Sequence, residues 1–190
     1  MATKAELRTV YKEKRHKLGS ELRQLLSDRI VKNALRYLAD HPQIEHIHIF
    51  LPIKRLNEIN TLPLIDAINE REKNLYTSIS DHQRQEMLTI KLAVNQSFVE
   101  DKYGIPMPTE PEQGDEALVQ LIFMPLLAYD LKGHRLGYGK GFYDRFLSKF
   151  SDNVVKAGLS FFPPEIEIPT EPHDIPLDIC VSPEGVRLFK

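Results

Sequence analysis

The chain has 190 residues, of which 25 are Lys or Arg and 27 are Asp or Glu, so its net charge is −2 at pH 7. This balance argues against a general nucleic-acid-binding protein, which carries a basic excess, and no apolar stretch approaches the ~20 residues of a membrane span. The charged start lacks the apolar segment of a signal peptide, so we expect one cytoplasmic, monomeric domain over residues 1–190.

The first half of the chain predicts two long helices followed by a mixture of strands and one further helix. Residues 3–17 predict a helix that begins at Thr3, with Glu6 in the position of a capping box. A second helix opens at Ser20, carries an apolar stripe at helical spacing and ends before Pro42. The remaining elements of this half are a strand over 44–50, a helix after Thr61, and strands over 75–79 and 87–94.

The second half contains the most apolar segment of the sequence. Residues 117–124 are nearly all apolar, which is typical of a strand covered on both faces in a parallel sheet. A short helix over 142–150 and strands over 154–160, 177–181 and 186–189 complete the pattern. Alternating helices and strands predict a three-layer α/β/α fold with a mostly parallel central sheet, Rossmann-like, of the kind found in sugar-phosphate isomerases and CoA-transferases.

Two residue types that often carry chemistry give weak signals here. Cys180 is the only cysteine and lies in an apolar run, which favours an inert, buried side chain. His46 and His48 point to one side of a predicted strand, but no third ligand stands at metal-binding spacing, so we do not predict zinc.

The stretch 137–144, GYGKGFYD, places three alternating glycines and a lysine between the buried strand and a helix. Two interpretations are a plain turn and a phosphate-binding loop, since glycines let backbone N–H groups approach an anion at a helix start. Lys140 and Arg135 would supply positive charge. The spacing is neither that of a Walker loop nor GxGxxG.

Other candidate residues leave two interpretations each. Lys4, Arg8, Lys12 and Arg15 share one helical face, which is either solvated or directed at a polyphosphate. Asp144, in the first turn of its helix, either stabilises the helix dipole or binds Mg²⁺.

Two further carboxylates follow the same pattern. Asp174 is either part of an exposed acidic loop or a second Mg²⁺ ligand. Glu58 is either an exposed loop residue, which the sequence alone favours, or an acceptor for the N–H groups of a heterocycle.

Read together, residues 125–145 closely resemble the signature of 5-formyltetrahydrofolate cyclo-ligases, also called 5,10-methenyltetrahydrofolate synthetases. The resemblance extends to the basic start, to 49–61 and to the ending that contains His173, Asp174, Leu177 and Asp178. It implies an enzyme that uses Mg²⁺ and ATP to convert 5-formyltetrahydrofolate into 5,10-methenyltetrahydrofolate, ADP and phosphate. Its partners would be small-molecule substrates, with no nucleic acid and no membrane.

The resemblance also implies site residues. The ATP contacts would be Lys4, Arg8, Arg135, Leu136, Gly137, Tyr138, Gly139, Lys140, Gly141, Phe142 and Tyr143. The folate contacts would be Leu51, Glu58, Tyr138, Gly139, Lys140, Gly141 and Phe142. Lys140, Arg135 and Tyr143 would act in catalysis, and Asp144 and Asp174 would hold Mg²⁺. Phe142 stands where many relatives have tyrosine, and 52–57 is longer than in some relatives.

Two alternatives remain open from the sequence. A sugar-phosphate isomerase-like enzyme has similar α/β layers but no need for the cationic cluster and the Mg²⁺ carboxylates. A non-catalytic nucleotide- or folate-binding paralogue would not require Lys140 and Asp144.

Overall fold

The computed structural model describes residues 2–189. Within that range the α-helices are α1 (Lys4–Lys17), α2 (Ser20–Asp40), α3 (Leu62–Asn69) and α4 (Phe142–Leu147). The strands are β1 (His46–Ile49), β2 (Asn74–Asp81), β3 (Glu86–Leu92), β4 (Phe98–Glu100), β5 (Pro106–Pro108), β6 (Glu112–Gln113), β7 (Leu121–Pro125), β8 (Ala128–Tyr129), β9 (Arg135–Leu136), β10 (Val155–Leu159), β11 (Ile179–Ser182) and β12 (Gly185–Leu188).

In the described part of the chain, eight strands form one mixed sheet in the order β12-β11-β10-β7-β1-β2-β3-β6. The central strands β11, β10, β7, β1 and β2 are parallel to one another, and β12, β3 and β6 pair antiparallel at the two sides. The predicted α/β fold with a mostly parallel sheet is therefore confirmed.

Alternate residues of β7 pack into different layers, as the apolar run predicted. Leu121 and Phe123 belong to a buried cluster with residues of α2 and α3. Ile122 and Met124 belong to a second cluster, on the other face, with Phe146 of α4. Since side chains alternate across a strand, burial on both faces requires a strand that is apolar throughout.

Helix α1 begins with the predicted capping box. The Thr3 side chain accepts a hydrogen bond from the Glu6 N–H, and the Glu6 carboxylate accepts one from the Thr3 N–H. On its inner face Tyr11 packs in a third cluster with Leu127 and Leu136, which follow β7. The helix therefore lies over the segments that leave the carboxyl end of the sheet.

Two predicted boundaries are wrong: β7 starts later than predicted, and α4 ends at Leu147 rather than at residue 150. We predicted a strand from residue 117, but Glu116–Leu118 form a short 3-10 helix and β7 begins at Leu121. The Asp115 side chain accepts a hydrogen bond from the Ala117 N–H at 2.9 Å, which stabilises the turn despite the apolar composition. The short hairpins β4–β5 and β8–β9 were not predicted, because segments of two or three residues carry no periodicity.

The helices of the described residues also bear on the membrane prediction. None of them is both long enough and apolar enough to cross a bilayer.

Candidate active site

A cleft of about 410 Å³ opens at the carboxyl ends of β1 and β7. Phe50 and Leu51, which follow β1, and Pro125, which ends β7, form part of its wall. This is the edge of a parallel sheet at which α/β proteins bind ligands. All of the residues predicted for ATP, folate or Mg²⁺ contact line this cleft.

The glycine-rich segment forms the loop between β9 and α4 and borders the cleft. Gly139 and Gly141 have φ angles of +91° and +66°, which glycine adopts without strain, and Gly141 is the N-cap of α4. At Gly137 an added Cβ would meet no atom of residues 2–189 within 4 Å, so packing against described side chains does not explain why this residue is glycine. Lys140 is exposed at the tip of the loop.

Arg135 lies at the base of this loop, with a side chain only 6% exposed. Its guanidinium donates to Asp144 Oδ1 at 2.7 Å and to the carbonyl oxygen of Ile175. Burial lowers the pKa of Arg135, and the nearby charges of Asp144 and Asp174 oppose that effect. Asp144, in the first turn of α4, thus interacts directly with a buried cation rather than only with the helix dipole.

The basic face of α1 is directed at the cleft, so the interpretation of a merely solvated face is wrong. Lys4 Nζ lies 2.5 Å from Asp174 Oδ2 and 2.8 Å from Glu171 Oε2. Arg8 Nε donates to the carbonyl oxygen of Gly137 at 3.1 Å. Arg15 is 4% exposed. Helix α1 therefore brings cations to the glycine loop.

The Lys4–Asp174 pair changes the proton affinities of both partners. Burial acts to lower the pKa of Lys4, but its hydrogen bonds to Asp174 and Glu171 outweigh burial and raise it. Burial acts to raise the pKa of Asp174, but the hydrogen bonds from Lys4 and from the Glu171 N–H hold it below its ordinary value. Both groups are charged at neutral pH.

Glu58 is buried, with 9% of its surface exposed, so the expectation of an exposed loop residue is wrong. Its Oε1 accepts a hydrogen bond from the Tyr138 hydroxyl at 2.7 Å, and its Oε2 accepts one from the Ile53 N–H at 2.8 Å. Burial raises the pKa of Glu58, and these two hydrogen bonds, together with the charges of Arg15 and Arg55, oppose that rise. Burial also raises the pKa values of Tyr138 and Tyr143.

The structure adds cleft residues that the sequence did not indicate. They come from the end of β2 and from the β4–β5 hairpin: Thr77, Ser78, Ser80, His82, Ile105 and Pro106. The hydroxyl residues near the carboxyl end of β2 could have been found from the sequence. The strand predicted over 75–79 was expected to end at the same edge of the sheet as β1. The hairpin residues gave no such signal.

Of the residues for which we predicted no chemistry, Cys180 and His48 are buried and His46 is half-buried. Cys180 is fully buried, as expected, and burial raises the pKa of its thiol. His46 contacts the Tyr76 hydroxyl at 2.9 Å. His48 is fully buried against Phe146, and neither of its ring nitrogens has a hydrogen-bond partner among the described residues.

Carboxylates that suit a divalent cation border the cleft. Among the described residues Glu171, His173 and Asp174 have ligand atoms within 4.8 Å of one another, a group that does not include Asp144. The hydrogen bonds to the Asp144 side chain fall on Oδ1 and those to Asp174 on Oδ2, which leaves the second oxygen of each. Carboxylate oxygens beside a phosphate-binding surface are the donors that Mg²⁺ takes.

The sequence profile of the 5-formyltetrahydrofolate cyclo-ligase family matches residues 1–183. The chain belongs to the 5-formyltetrahydrofolate cyclo-ligase family. It is 27% identical to the 5-formyltetrahydrofolate cyclo-ligase of Mycoplasma genitalium, over 95% of this chain and 98% of that one. Membership in this family makes the chain an ATP-dependent ligase of folate metabolism, as predicted.

Two solved structures of 5,10-methenyltetrahydrofolate synthetases superpose on this cyclo-ligase fold. The NMR structure from Aquifex aeolicus superposes with a TM-score of 0.82 at 30% identity. The match covers 98% of this chain and 93% of the Aquifex chain. The structure from Mycoplasma pneumoniae has a TM-score of 0.79 at 21% identity, with 96% and 99% covered, and supports the fold alone. The roles of individual cyclo-ligase residues, the bound metal and the cellular location stay predictions.

Proposed function

We propose that this chain closes the ring of 5-formyltetrahydrofolate with Mg-ATP, giving 5,10-methenyltetrahydrofolate, ADP and phosphate. One observation carries the proposal beyond family membership. At adjacent residues of the glycine loop, Gly137 accepts a hydrogen bond from the cation Arg8, and Tyr138 donates one to the buried carboxylate of Glu58. The proposed phosphate-binding surface and the proposed recognition point for a heterocycle would therefore meet at one loop.

The proposed reaction has two steps. The formyl oxygen attacks the γ-phosphorus of ATP, the bond from that phosphorus to the bridging oxygen breaks, and ADP leaves. N10 of the folate then attacks the formyl carbon, phosphate departs with the former formyl oxygen, and N10 loses its proton. Phosphorylation is needed because the oxygen of a formamide is a poor leaving group.

Positive charge and positioning are what the first step requires from the protein. Lys140 and Arg135 would stabilise the transferring phosphoryl group, and Lys4 and Arg8 would hold the rest of the polyphosphate. Tyr143, the neighbour of Asp144, would position reactants rather than act as a nucleophile. No covalent protein intermediate is part of the proposal.

The folate would lie on the other side of the loop. Glu58 would accept N–H bonds from the pterin, since each carboxylate oxygen keeps a lone pair beyond its hydrogen bond to Tyr138 or Ile53. Leu51 and Phe142 would supply apolar contacts. The substrates are thus two small molecules, and we propose that the chain acts as a monomer.

Asp144 and Asp174 would hold Mg²⁺, which would neutralise phosphate charge when bound. The carboxylate chemistry of the cleft fits this ion. Lys4 would exchange part of its contact with Asp174 for a phosphate oxygen when ATP binds.

The test is to mix the purified chain with Mg-ATP and 5-formyltetrahydrofolate and to follow the ultraviolet absorption of the methenyl product. We expect product formation that needs both substrates and stops when Mg²⁺ is chelated. If no product forms over a range of pH and Mg²⁺ concentrations, the proposed function is wrong.

A further inference from the structure

Arg15 is a buried cation that does not itself line the cleft but bonds to Tyr138, which does. It lies on the last turn of α1 and is 4% exposed. Its guanidinium donates to the Tyr138 hydroxyl at 2.6 Å and, through its other terminal nitrogen, to the carbonyl oxygen of Leu126. Arg15 thus connects the end of α1 to the loop that separates the two proposed substrates.

Arg15 fixes the direction of the hydrogen bonds that follow. A guanidinium only donates, so the Tyr138 oxygen must accept from Arg15 and use its single proton elsewhere. That proton is donated to Glu58 Oε1 at 2.7 Å. The result is a chain from Arg15 to Tyr138 to Glu58 in which Glu58 is the final acceptor, a role that suits an ionised carboxylate.

The charges around Glu58 come from several elements. Arg15 of α1 and Arg55 of the segment after β1 favour its ionised form, and the hydroxyl of Tyr138 also bonds to that form. Tyr143 of α4 also interacts with the carboxylate. Burial raises the pKa of Glu58, so removal of the Arg15 charge would raise it further.

A role in attaching α1 to the sheet does not account for Arg15 by itself. Its Nε is buried without a hydrogen-bond partner among the described residues, which is a costly arrangement for a charged group. The guanidinium carbon lies 5.9 Å from the ring centroids of Tyr138 and Phe161, a weak cation–π distance at which an apolar side chain would also pack. The position therefore calls for a reason to keep the charge.

We propose that Arg15 is a positioning residue for folate recognition, which it supports by orienting the Tyr138 hydroxyl toward Glu58 and keeping Glu58 an ionised acceptor. This inference rests on the proposed function and adds a residue to its folate side. Arg15 does not contact the folate itself. Because it acts through a proton-binding group, its effect depends on pH in a way that a purely structural role does not.

The test is calorimetric binding of 5-formyltetrahydrofolate to the purified full chain between pH 6 and pH 8.5. We expect Arg15→Gln to weaken folate binding by about tenfold at pH 7, as for a lost bond to a charged group. The loss of folate affinity should grow as the pH falls. In the variant the pKa of Glu58 is higher than in the wild type, so Glu58 takes up a proton at a higher pH. The Kd for ATP should change by less than about twofold, and Arg15→Lys, which keeps the charge, should restore part of the affinity.

Arg23 offers a matched control. Like Arg15, Arg23 donates a hydrogen bond from a terminal guanidinium nitrogen to a backbone carbonyl oxygen. Its acceptor is Leu18, at 2.6 Å, and Arg23 lies at the start of α2, away from the glycine loop. We expect Arg23→Gln to leave folate affinity and its pH dependence unchanged. In a Glu58→Gln background, Arg15→Gln should weaken folate binding by a much smaller factor than in the wild type, because the acceptor it supports is gone.

The outcomes separate the two proposals. If the wild type does not bind 5-formyltetrahydrofolate, the proposed function and the role of Arg15 both fail. If the wild type binds it and Arg15→Gln binds with the same affinity and pH dependence, only the role of Arg15 is overturned. If Arg15→Gln does not fold, Tyr138→Phe replaces it as the test, because it removes the hydroxyl and keeps Arg15. The pH dependence of folate binding in Tyr138→Phe must then shift in the same direction. An unshifted pH dependence overturns the inference.

Discussion

Lys4 lies 2.5 Å from Asp174 although 170 positions separate them in the chain. The pair joins α1 to the loop before β11, across the mouth of the cleft. It also places a proposed phosphate-binding cation against a proposed metal ligand. A polyphosphate with its Mg²⁺ would therefore meet both residues at one place in the cleft.

Asp174→Asn is predicted to raise the Mg²⁺ concentration needed for half-maximal turnover by about tenfold or more, because one carboxylate ligand is lost. The measurement is turnover against Mg²⁺ at saturating ATP. Glu167→Gln is the control, since Glu167 forms an ion pair with Lys132 at 2.9 Å that is exposed and does not border the cleft. An unchanged Mg²⁺ requirement in Asp174→Asn would remove Asp174 from the metal site.

Lys140→Ala is predicted to reduce turnover by about a hundredfold, since an aligned cation that stabilises transferring charge contributes on that scale. Folate affinity should change little. Lys149→Ala, at another exposed lysine shortly after α4, should keep wild-type turnover. The measurement is the steady-state turnover of the two variants. Near-normal turnover in Lys140→Ala would exclude a role for Lys140 in stabilising the transferring phosphoryl group.

The Gly137→Ala variant tests whether the open space beside Gly137 serves a ligand or is required by the fold. No atom would lie within 4 Å of the new Cβ, so the melting temperature should stay close to that of the wild type. ATP affinity should fall, because the methyl group would occupy room next to the phosphates. Gly19→Ala, equally unobstructed but outside the cleft, should leave ATP affinity unchanged. Unaltered ATP binding in Gly137→Ala would mean that the loop does not approach the phosphates there.

Glu58→Gln is predicted to weaken folate binding while ATP affinity is kept. The same variant should be as stable as the wild type or more so above neutral pH. Burial raises the pKa of Glu58, so the stability associated with its protonated form is greatest below the ordinary carboxyl pKa and is lost as the pH rises. Glutamine carries no charge and avoids that loss.

The control for Glu58 is another tyrosine–glutamate pair. The Tyr11 hydroxyl donates to Glu165 Oε1, and Glu165 does not line the cleft. Glu165→Gln should therefore leave folate binding unchanged. Calorimetry of both ligands and thermal melts at several pH values check the two effects, and a variant that loses ATP rather than folate would reverse our assignment of the subsites.

His48→Leu is predicted to raise the free energy of unfolding by about 1 to 2 kcal/mol, because it removes two buried nitrogens that have no partner in the described part of the chain. Burial lowers the pKa of His48 from 6.5 to about 3, so the wild type loses stability as the pH falls through that range. The variant should lose less. Denaturant unfolding at pH 7 and pH 5 measures this, with the exposed His16→Leu as control; an equal loss in both variants would contradict the prediction.

The sequence predicted those features whose causes are local. The capping box of Thr3 and Glu6 spans three residues, and the apolar run of β7 records burial on both faces. The predicted start of β7 was wrong because the Ala117 N–H donates a hydrogen bond to the Asp115 side chain and stabilises a turn despite the apolar composition. The Arg15–Tyr138–Glu58 contacts could not be predicted, since they join residues 123 and 80 positions apart. The resemblance indicated Glu58 and Tyr138 as site residues but not the bond between them.

The two outer strands of the sheet bear on how the protein behaves at high concentration. A long, flat edge offers unpaired N–H and C=O groups to a second molecule, which is a common start of aggregation. Here one outer strand, β6, has two residues and the other, β12, has four. Each belongs to an antiparallel addition to the parallel centre, so β11 and β2 have partners on both sides, although β6 pairs with only Ile90 and Lys91 of β3. Insertions that lengthen β6 or β12 would therefore promote self-association before they disturb the cleft.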